Sequence, residues 1–229
     1  MPKVAVVLSG CGVFDGTEIH EAVGVLLHLS RHGAAYECFA PDIAQMHVID
    51  HARGAPTEGA ARNVLAEAAR IARGKIRPLA ELRAADYDAV FFPGGFGAAK
   101  NLCDFATRGA ACTVEPQTER VIKEFHAAGK PIGMCCIAPA IAARVLGTKA
   151  GGPGCSVTIG DDADAAAGIA AMGSTNITKP VTEAHIDDKN NLITAPAYMY
   201  GDAPIHEVIE GIGQMVDQTL ARVPSRAHR

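Results

Sequence analysis

The sequence predicts an α/β protein built on a mostly parallel central sheet. Short apolar runs, such as residues 4–8 and 88–92, are typical of strands that are buried on both faces. Stretches with helical periodicity separate these runs, and glycine or proline marks many of the junctions. Strand and helix therefore alternate along the chain, which favours parallel pairing with right-handed crossover connections.

The first βαβ unit shows how each element is assigned. Residues 4–8 predict a central strand, and a glycine-rich loop over residues 9–16 follows it. Thr17 is a suitable N-cap for a helix over residues 18–31. The apolar face expected for this helix comprises Ile19, Ala22, Val23, Leu26 and Leu27. A second strand over residues 36–40 is closed by Pro41.

The remaining elements follow from the same signals. Residues 42–60 are less regular and predict an insertion, with a short strand near residues 48–49. The later predicted helices cover residues 63–73, 116–128, 163–172 and 204–222. The later predicted strands cover residues 88–92, 131–134, 180–186 and 192–195, and residues 223–229 are expected to be frayed.

Composition limits the class of protein. A chain of 229 residues without an internal linker or repeat predicts a single domain over residues 1–229. The net charge of −4 and the absence of a basic block give no electrostatic footprint for nucleic acid. No apolar run approaches the roughly 20 residues that span a membrane.

The cysteines and the N-terminus bear on the compartment. Seven cysteines, an odd number, do not form a disulfide framework, and no spacing fits zinc. The first eight residues lead directly into a strand and lack the pattern of a cleavable leader. These observations predict a reducing, cytoplasmic setting and a site without a metal.

Residues 130–140 (KPIGMCCIAPA) contain the main candidate for chemistry. An apolar strand ends on two cysteines and is followed by Pro139, which suits the first turn of a helix. A cysteine on such a turn faces the amides of a helix N-terminus, which favour the thiolate and lower its pKa. This arrangement predicts a nucleophile elbow. Gly133 satisfies the small-residue requirement for Cys135, and Ala138 satisfies it for Cys136, so the residues alone leave the nucleophile undecided.

Two other strand ends are expected to meet this elbow, because sites in open parallel sheets form at the carboxyl ends of the strands. After the first strand, Glu18 is positioned as a proton-transferring acid, and Glu21, one turn later, is the alternative. After the strand at residues 88–92, the segment PGGFG offers exposed amides. Gly95, together with the amide after the nucleophile, is expected to form an oxyanion hole.

The first glycine-rich loop also comes close to a dinucleotide fingerprint. Gly10, Gly12 and Gly16 place the third glycine one residue late, and Asp42 ends the second strand where a ribose-binding acid would be expected. Because helix–strand packing in that motif depends on the third glycine, the late position argues against a nucleotide cofactor. No cofactor is predicted.

Four motifs resemble the isoprenoid-biosynthesis glyoxalase (ElbB) family of the class I glutamine amidotransferase-like superfamily, which also contains PfpI-type proteases. They are SGCGVFDGTEIHE at 9–21, FPGGFGAAKN at 92–101, CIAPA at 136–140 and TAPAYM at 194–199. The resemblance implies a flavodoxin-like three-layer α/β/α sandwich and a homodimer. It implies Cys136 as nucleophile, Ile137 as the second oxyanion amide and Glu18 as the acidic partner.

Departures from the family pattern concern the neighbours of the nucleophile. Cys135 adds a thiol directly before Cys136, and Ile137 stands where PfpI-type proteases have histidine. His185 is the late histidine considered as an auxiliary group, although the related motif has an apolar residue there. No complete Cys/His/acid triad is therefore evident.

A cysteine with an acid but no assured histidine suits aldehyde chemistry better than amide cleavage, which needs a proton delivered to a poor leaving group. The predicted function is a glutathione-independent glyoxalase that converts glyoxal to glycolate through a hemithioacetal on Cys136, with proton transfer by Glu18. Two alternatives remain: a cysteine-based redox or stress sensor, and a non-catalytic accessory protein of isoprenoid metabolism.

Overall fold

A computed structural model of the protein describes residues 1–224. The frayed terminus expected over residues 223–229 therefore lies mostly outside the described part of the chain. Within that part, a seven-stranded sheet carries helices on both faces, which confirms the predicted three-layer α/β/α class.

The strands are short, and two small pairs of them lie outside the main sheet. Their bounds are β1 Lys3–Val7, β2 Ala35–Ala40, β3 Ile49–Asp50, β4 Ala55–Pro56, β5 Ile76–Pro78, β6 Ala89–Phe92, β7 Ile132–Cys135, β8 Ser156–Val157, β9 Thr175–Asn176, β10 His185–Asp187 and β11 Leu192–Ala195. The main sheet has the order β10-β11-β7-β6-β1-β2-β5. Every pair in it is parallel except β10 with β11. The two small pairs are β3 with β4, which is antiparallel, and β8 with β9, which is parallel.

Eight α-helices lie in the described residues. Their bounds are α1 Ile19–Arg31, α2 Val64–Ile71, α3 Phe96–Lys100, α4 Phe105–Arg108, α5 Pro116–Ala127, α6 Pro139–Leu146, α7 Ala163–Ala171 and α8 Ile205–Ala221. Helices α1, α2 and α8 contribute to the core on one face of the sheet, and α5, α6 and α7 to the core on the other.

The central strand β1 shows why both faces need a helical cover. Val4 and Val6 belong to the core under α1 and α8, whereas Ala5 and Val7 belong to the opposite core. This alternation follows from the two-residue period of a strand. All four side chains are fully buried, so the run is apolar throughout instead of alternating with polar residues.

Helix α1 begins at Ile19, one residue later than predicted, and its N-cap shifts by one residue as well. Thr17 is not the N-cap, because its hydroxyl accepts the Ser9 N–H at 2.7 Å and is buried in the turn after β1. Glu18 takes the cap position, and its Oε2 accepts the backbone N–H of Glu21 at 2.7 Å. The prediction of Thr17 was therefore wrong by one position.

The predicted apolar face of α1 was also only partly right. Ala22 is buried as expected, but the buried side of the helix continues through Val25 and Leu29. Ile19, Val23 and Leu27 instead lie on the solvent side, with 42%, 49% and 39% of their surface exposed. The helix is apolar on more than one face, so the sequence pattern does not identify the side that faces the sheet.

Edge strands account for the other differences. β5 was not predicted, because it contains Arg77 and ends on Pro78, both of which are tolerated at a sheet edge. At the opposite edge, the strand expected over residues 180–186 is shortened to β10, which runs antiparallel to β11. Neither edge affects the carboxyl ends of β1, β6 and β7, which lie side by side in the centre of the sheet.

Two further observations concern the described residues as a group. None of their helices has the length and apolar character needed to cross a membrane. Their histidines, cysteines and acids form no cluster of three or more that could hold a metal ion. All seven cysteines are free thiols, and only Cys11 is partly exposed.

Candidate active site

Cys136 occupies a strained turn between β7 and α6. Its φ angle is +58°, a left-handed conformation that residues other than glycine rarely adopt. The strand ends at Cys135, and Pro139 opens the helix, as the sequence predicted. Strain of this kind is often found where a fold holds a reactive side chain in one orientation.

The two neighbouring thiols occupy different environments. Both side chains belong to the core under α1 and α8, but Cys135, the last residue of β7, is fully buried. Cys136 retains 7% exposure and lies in the wall of a cavity. The left-handed turn and the access to the cavity therefore make Cys136 the better-placed nucleophile.

The cavity has a volume of about 630 Å³ and opens at the carboxyl ends of the central strands. Its floor contains Cys136 and Ile137 from the elbow, Gly95 from the turn after β6, and Glu18 from the start of α1. The other lining residues are Val13, Phe96, Ala99, Phe105, Ala106, Thr107, Gly109, Asp162, Asp164, Ala165, Gly168, Tyr198 and Met199. The structure thus brings together four of the residues named from the sequence.

Backbone amides approach the Cys136 sulfur from two sides. The N–H groups of Gly95 and Ile137 both donate towards Sγ and act to lower its pKa. Gly95 has a φ angle of +89°, and a Cβ there would lie only 2.3 Å from the Glu18 nitrogen. The turn after β6 therefore requires glycine in order to direct an amide at the thiol.

Glu21 is the carboxyl group that contacts the thiols. It is fully buried, and its Oε2 accepts the Gly94 N–H at 2.9 Å and lies 3.8 Å from Cys135 Sγ. Glu21 and the Cys136 side chain also act on each other's pKa. The Oε1 atom of Glu21 accepts the Tyr198 N–H at 3.2 Å. Of the two acids considered from the sequence, the structure places Glu21 at the sulfur.

Glu18 lies in the wall of the cavity and has a second, structural contact. One carboxylate oxygen caps α1 through the Glu21 N–H, and the other lies 3.9 Å from His20 Nδ1. Only 8% of the residue is exposed. Glu18 therefore faces the space that a substrate would occupy, one helical turn from the carboxyl group that contacts the thiol.

The electrostatics differ from those expected for an isolated elbow. Burial and then the charge of Glu18 raise the pKa of Glu21 to about 8. Burial and then Glu21 raise the pKa of the Cys136 thiol well above its usual range, against the effect of the Gly95 and Ile137 amides. The expectation of a lowered thiol pKa was therefore wrong, because a buried carboxyl group competes with the sulfur for negative charge.

His185 makes its side-chain hydrogen bond with a residue outside the elbow. Its Nε2 is 2.8 Å from Ser156 Oγ, and it belongs to the edge strand β10. It does not line the cavity, and no histidine of residues 1–224 does so. The auxiliary role considered for His185 consequently finds no support in its position.

Sequence reasoning did not single out Tyr198, although the motif at residues 194–199 contains it. Ala197 has a φ angle of +46°, which directs the following amide at Glu21. The Tyr198 hydroxyl lies 3.1 Å from His20 Nδ1. The acids of α7 and the aromatic wall at Phe105 were also missed, because nothing in their local sequence links them to a distant strand end.

Comparison with known proteins shows the family. No family model matches the chain. The human protein described as glutamine amidotransferase-like class 1 domain-containing protein 3, mitochondrial, is 56% identical over 95% of this chain and 82% of its own length. The rat ES1 protein homolog, mitochondrial, is 54% identical over 95% of this chain and 83% of its own length.

A solved structure agrees with these relatives in both sequence and fold. The isoprenoid biosynthesis protein with amidotransferase-like domain from Ehrlichia chaffeensis superimposes with a TM-score of 0.90. It is 35% identical, and the match covers 98% of this chain and all of that structure. This chain and that structure thus share both sequence and fold over nearly their whole lengths.

The comparisons also correct one prediction from the sequence. The human and rat relatives are both described as mitochondrial, which contradicts the expected cytoplasmic location. The reducing setting inferred from the cysteines does not distinguish the cytoplasm from another reducing compartment. From the identity with these relatives and the shared fold, the chain belongs to the ElbB/ES1 family of glutamine amidotransferase-like class 1 domain proteins.

Proposed function

We propose that the protein is a glutathione-independent glyoxalase that converts glyoxal and water to glycolate. The observation that carries the proposal is the arrangement at Cys136, where one thiol meets a buried carboxyl group and two backbone amides. A second carboxylate, Glu18, faces the same cavity. This set supplies a nucleophile, an oxyanion site and two proton acceptors, which is what the isomerisation of an α-oxoaldehyde requires.

The first step is addition of Cys136 Sγ to an aldehyde carbon. The sulfur–carbon bond forms as the thiol proton passes to the ionised form of Glu21, which a pKa of about 8 makes the minor form, roughly a tenth, at pH 7. Negative charge develops on the aldehyde oxygen, where the Gly95 and Ile137 amides can donate to it. Return of the proton from Glu21 to that oxygen gives a neutral hemithioacetal.

The second step moves hydrogen between the two substrate carbons. Glu18 removes the proton from the carbon bonded to sulfur, giving an enediolate. The hydroxyl proton then passes from the first oxygen to the second, and Glu18 returns its proton to the neighbouring carbon. The product is a thioester of glycolate on Cys136. Water then cleaves the sulfur–carbonyl bond, which releases glycolate and restores the thiol, so that no external oxidant or reductant is consumed.

The same arrangement is less suited to peptide or glutamine hydrolysis. An amide leaving group must receive a proton, which the superfamily's hydrolases deliver from histidine. In residues 1–224 no histidine lines the cavity. An aldehyde addition has no leaving group and does not need that donor.

The test is glycolate formation by the purified protein in the absence of glutathione. Cys136→Ala is expected to abolish glyoxal consumption, and Glu18→Ala and Glu21→Ala are each expected to reduce it at least about a hundredfold. Cys135→Ala is the matched control, because it removes the adjacent thiol from the core without changing the cavity wall. Full activity in Cys136→Ala together with loss in Cys135→Ala would overturn the proposal.

The raised pKa of Cys136 also bears on the redox-sensor alternative. Peroxides react with thiolates, and burial together with Glu21 disfavours the thiolate here. Intact mass after mild peroxide treatment distinguishes the two functions. Rapid conversion of Cys136 to a sulfinate, with negligible glyoxal turnover, would favour the sensor. A phenotype that survives Cys136→Ala would instead favour an accessory protein without catalysis.

A further inference from the structure

The cavity at Cys136 is far larger than glyoxal needs. Water occupies about 30 Å³ per molecule in the liquid, so a volume of about 630 Å³ has room for about twenty water molecules. Glyoxal is the smallest dialdehyde and would occupy only the part beside the sulfur. Volumes in this range are typical of sites that bind ligands of drug-like size.

The walls beyond the sulfur are mainly apolar. Phe96 and Phe105 line the cavity together with Ala165 and Met199. Phe96 is 46% exposed although it is a large aromatic residue, and Phe105 is half-buried. Apolar side chains that remain exposed around a concave site are available to cover an apolar ligand.

The charged side chains in the walls are all acidic. They are Glu18, Asp162 and Asp164, and no lysine or arginine of the described chain lines the cavity. Lys100 lies behind the wall, with its Nζ 5.0 Å from the ring centroid of the lining residue Phe96, and it donates to the Phe14 carbonyl at 2.8 Å. The cavity therefore disfavours an anionic ligand by charge and by the lack of a cationic partner.

The helix N-terminus at this wall does not reverse that preference. Helix α7 begins beside the cavity, and free N–H groups at such a position attract anions. Here the carboxylate of Asp162 accepts the Ala165 N–H at 2.8 Å, and Asp164 adds a second negative charge in the first turn. The helix therefore already has its own anionic cap.

We propose that the substrate is a neutral α-oxoaldehyde with an apolar substituent, such as an aryl or branched alkyl group, and that oxoaldehydes bearing a carboxylate or phosphate are poor substrates. The inference rests on the proposed glyoxalase function and specifies its substrate class. The thiol adds to the aldehyde carbon, and that carbon's hydrogen moves to the ketone carbon. Hydrolysis of the thioester then releases the corresponding 2-hydroxy acid, with one water consumed for each turnover.

The kinetic test compares three substrates that share the reacting group. Burial of each methylene favours binding about fourfold, so phenylglyoxal should exceed glyoxal in kcat/KM at least about tenfold. The 4-carboxy derivative of phenylglyoxal has the same ring with one negative charge, and it should fall at least about tenfold below phenylglyoxal. Equal values for the three compounds would overturn the substrate class and leave the glyoxalase function intact.

A second measurement does not need turnover. Alkylation of Cys136 is followed by peptide mass spectrometry with iodoacetamide, its N-phenyl derivative and iodoacetate, each rate divided by that of N-acetylcysteine. The N-phenyl reagent should show the highest ratio and iodoacetate the lowest. The reverse order, or no labelling by any of the three, would overturn the inference even if glyoxal were consumed.

Variants of the wall separate this cavity from a general effect on the thiol. Ala106→Leu fills part of the cavity from an exposed position and should slow the N-phenyl reagent more than iodoacetamide. Asp164→Lys should raise the iodoacetate ratio. The matched controls are Ala80→Leu and Asp86→Lys, at exposed positions away from the cavity, and both should leave the ratios unchanged. Identical ratios in the wall variants and in the controls would show that the wall does not select the ligand.

Discussion

Glu18 Oε2 accepts the backbone N–H of Glu21 at 2.7 Å, so one carboxylate caps the helical turn that carries the other. Two acids therefore lie at the N-cap and in the first turn of α1, one facing the cavity and one facing the thiols. The charge of Glu18 is the second cause, after burial, of the raised pKa of Glu21. The cap is thus a means by which the start of α1 tunes the protonation of the cysteine site.

Replacing Glu18 with glutamine should shift the pH dependence of the reaction towards acid. The amide oxygen can still accept the Glu21 N–H, but the negative charge is lost. Because the charge of Glu18 raises the pKa of Glu21, removing that charge should lower the pKa of Glu21. The limb of activity that rises through pH 8 in the wild type, as Glu21 loses its proton, should therefore move to lower pH. Residual kcat/KM is measured across about pH 5.5–9.5, on both sides of the Glu21 pKa of about 8.

The control for this shift is Glu58→Gln, which removes a carboxylate from an exposed loop. Its profile should coincide with that of the wild type. An unshifted midpoint in Glu18→Gln would contradict the assignment of the rising limb to Glu21.

Glu21 should also make folding stability depend on pH. Its pKa is about 8 in the folded protein, against a reference value of 4.5. Below pH 4.5 the carboxyl is protonated in both the folded and the unfolded state, and the contribution of Glu21 to the free energy of unfolding is fully present. Between these pKa values the unfolded chain releases the proton and the folded protein keeps it. In this range the Glu21 contribution to the free energy of unfolding should therefore fall by about 1.4 kcal/mol per pH unit, and above pH 8 it should level off.

Glu21→Gln should remove this slope, and urea unfolding at pH 5, 6 and 7 (about the middle of the window) measures it. The variant will also lose some stability at every pH, because glutamine offers one acceptor oxygen to the two amides of Gly94 and Tyr198. The slope, and not the offset, is therefore the informative quantity. Parallel lines for the two proteins would show that Glu21 is ionised in the folded state at all three pH values.

Gly94 should tolerate no side chain. A Cβ there would lie 2.5 Å from Cys136 Cβ and 2.8 Å from Glu21 Oε2. Gly94→Ala must therefore separate the carboxyl from the elbow, at a cost of about 1–3 kcal/mol in unfolding free energy, with loss of most activity. Gly201→Ala is the matched control, since a Cβ at Gly201 has no heavy atom within 4 Å. Equal unfolding midpoints and activities for the two variants would contradict the close approach at Gly94.

The sequence predicted the buried strands and the elbow well because both have local causes. A buried parallel strand must be apolar throughout, as β1 and β6 are, and Pro139 after two cysteines favours a strand-to-helix turn. The amide of Gly95 could be named for the same reason, since it lies in a turn that the local sequence specifies, whereas Ile137 followed from the resemblance that selected Cys136.

The choice between Glu18 and Glu21 depends on geometry that local sequence does not contain. The side chain of a capping residue and that of a residue one turn later point in different directions. Only the position of α1 relative to β7 decides which of the two carboxyl groups meets the sulfur. The thiol pKa depends on that contact as well, so an isolated helix N-terminus predicted the wrong direction. The solvent side of α1, with Ile19, Val23 and Leu27, is apolar as well.

That solvent side supports the homodimer implied by the family resemblance, and we propose that it forms the contact. Ile19, Val23 and Leu27 repeat every four residues along the exposed side of α1, so they form one stripe. Val23→Glu would place a charge in a desolvated contact and should convert a dimer to a monomer in light scattering at micromolar concentration. Ile177→Glu is the matched control, because Ile177 is similarly exposed outside α1 and should leave the dimer unchanged. A monomeric wild type, or a dimeric Val23→Glu variant, would contradict the assignment.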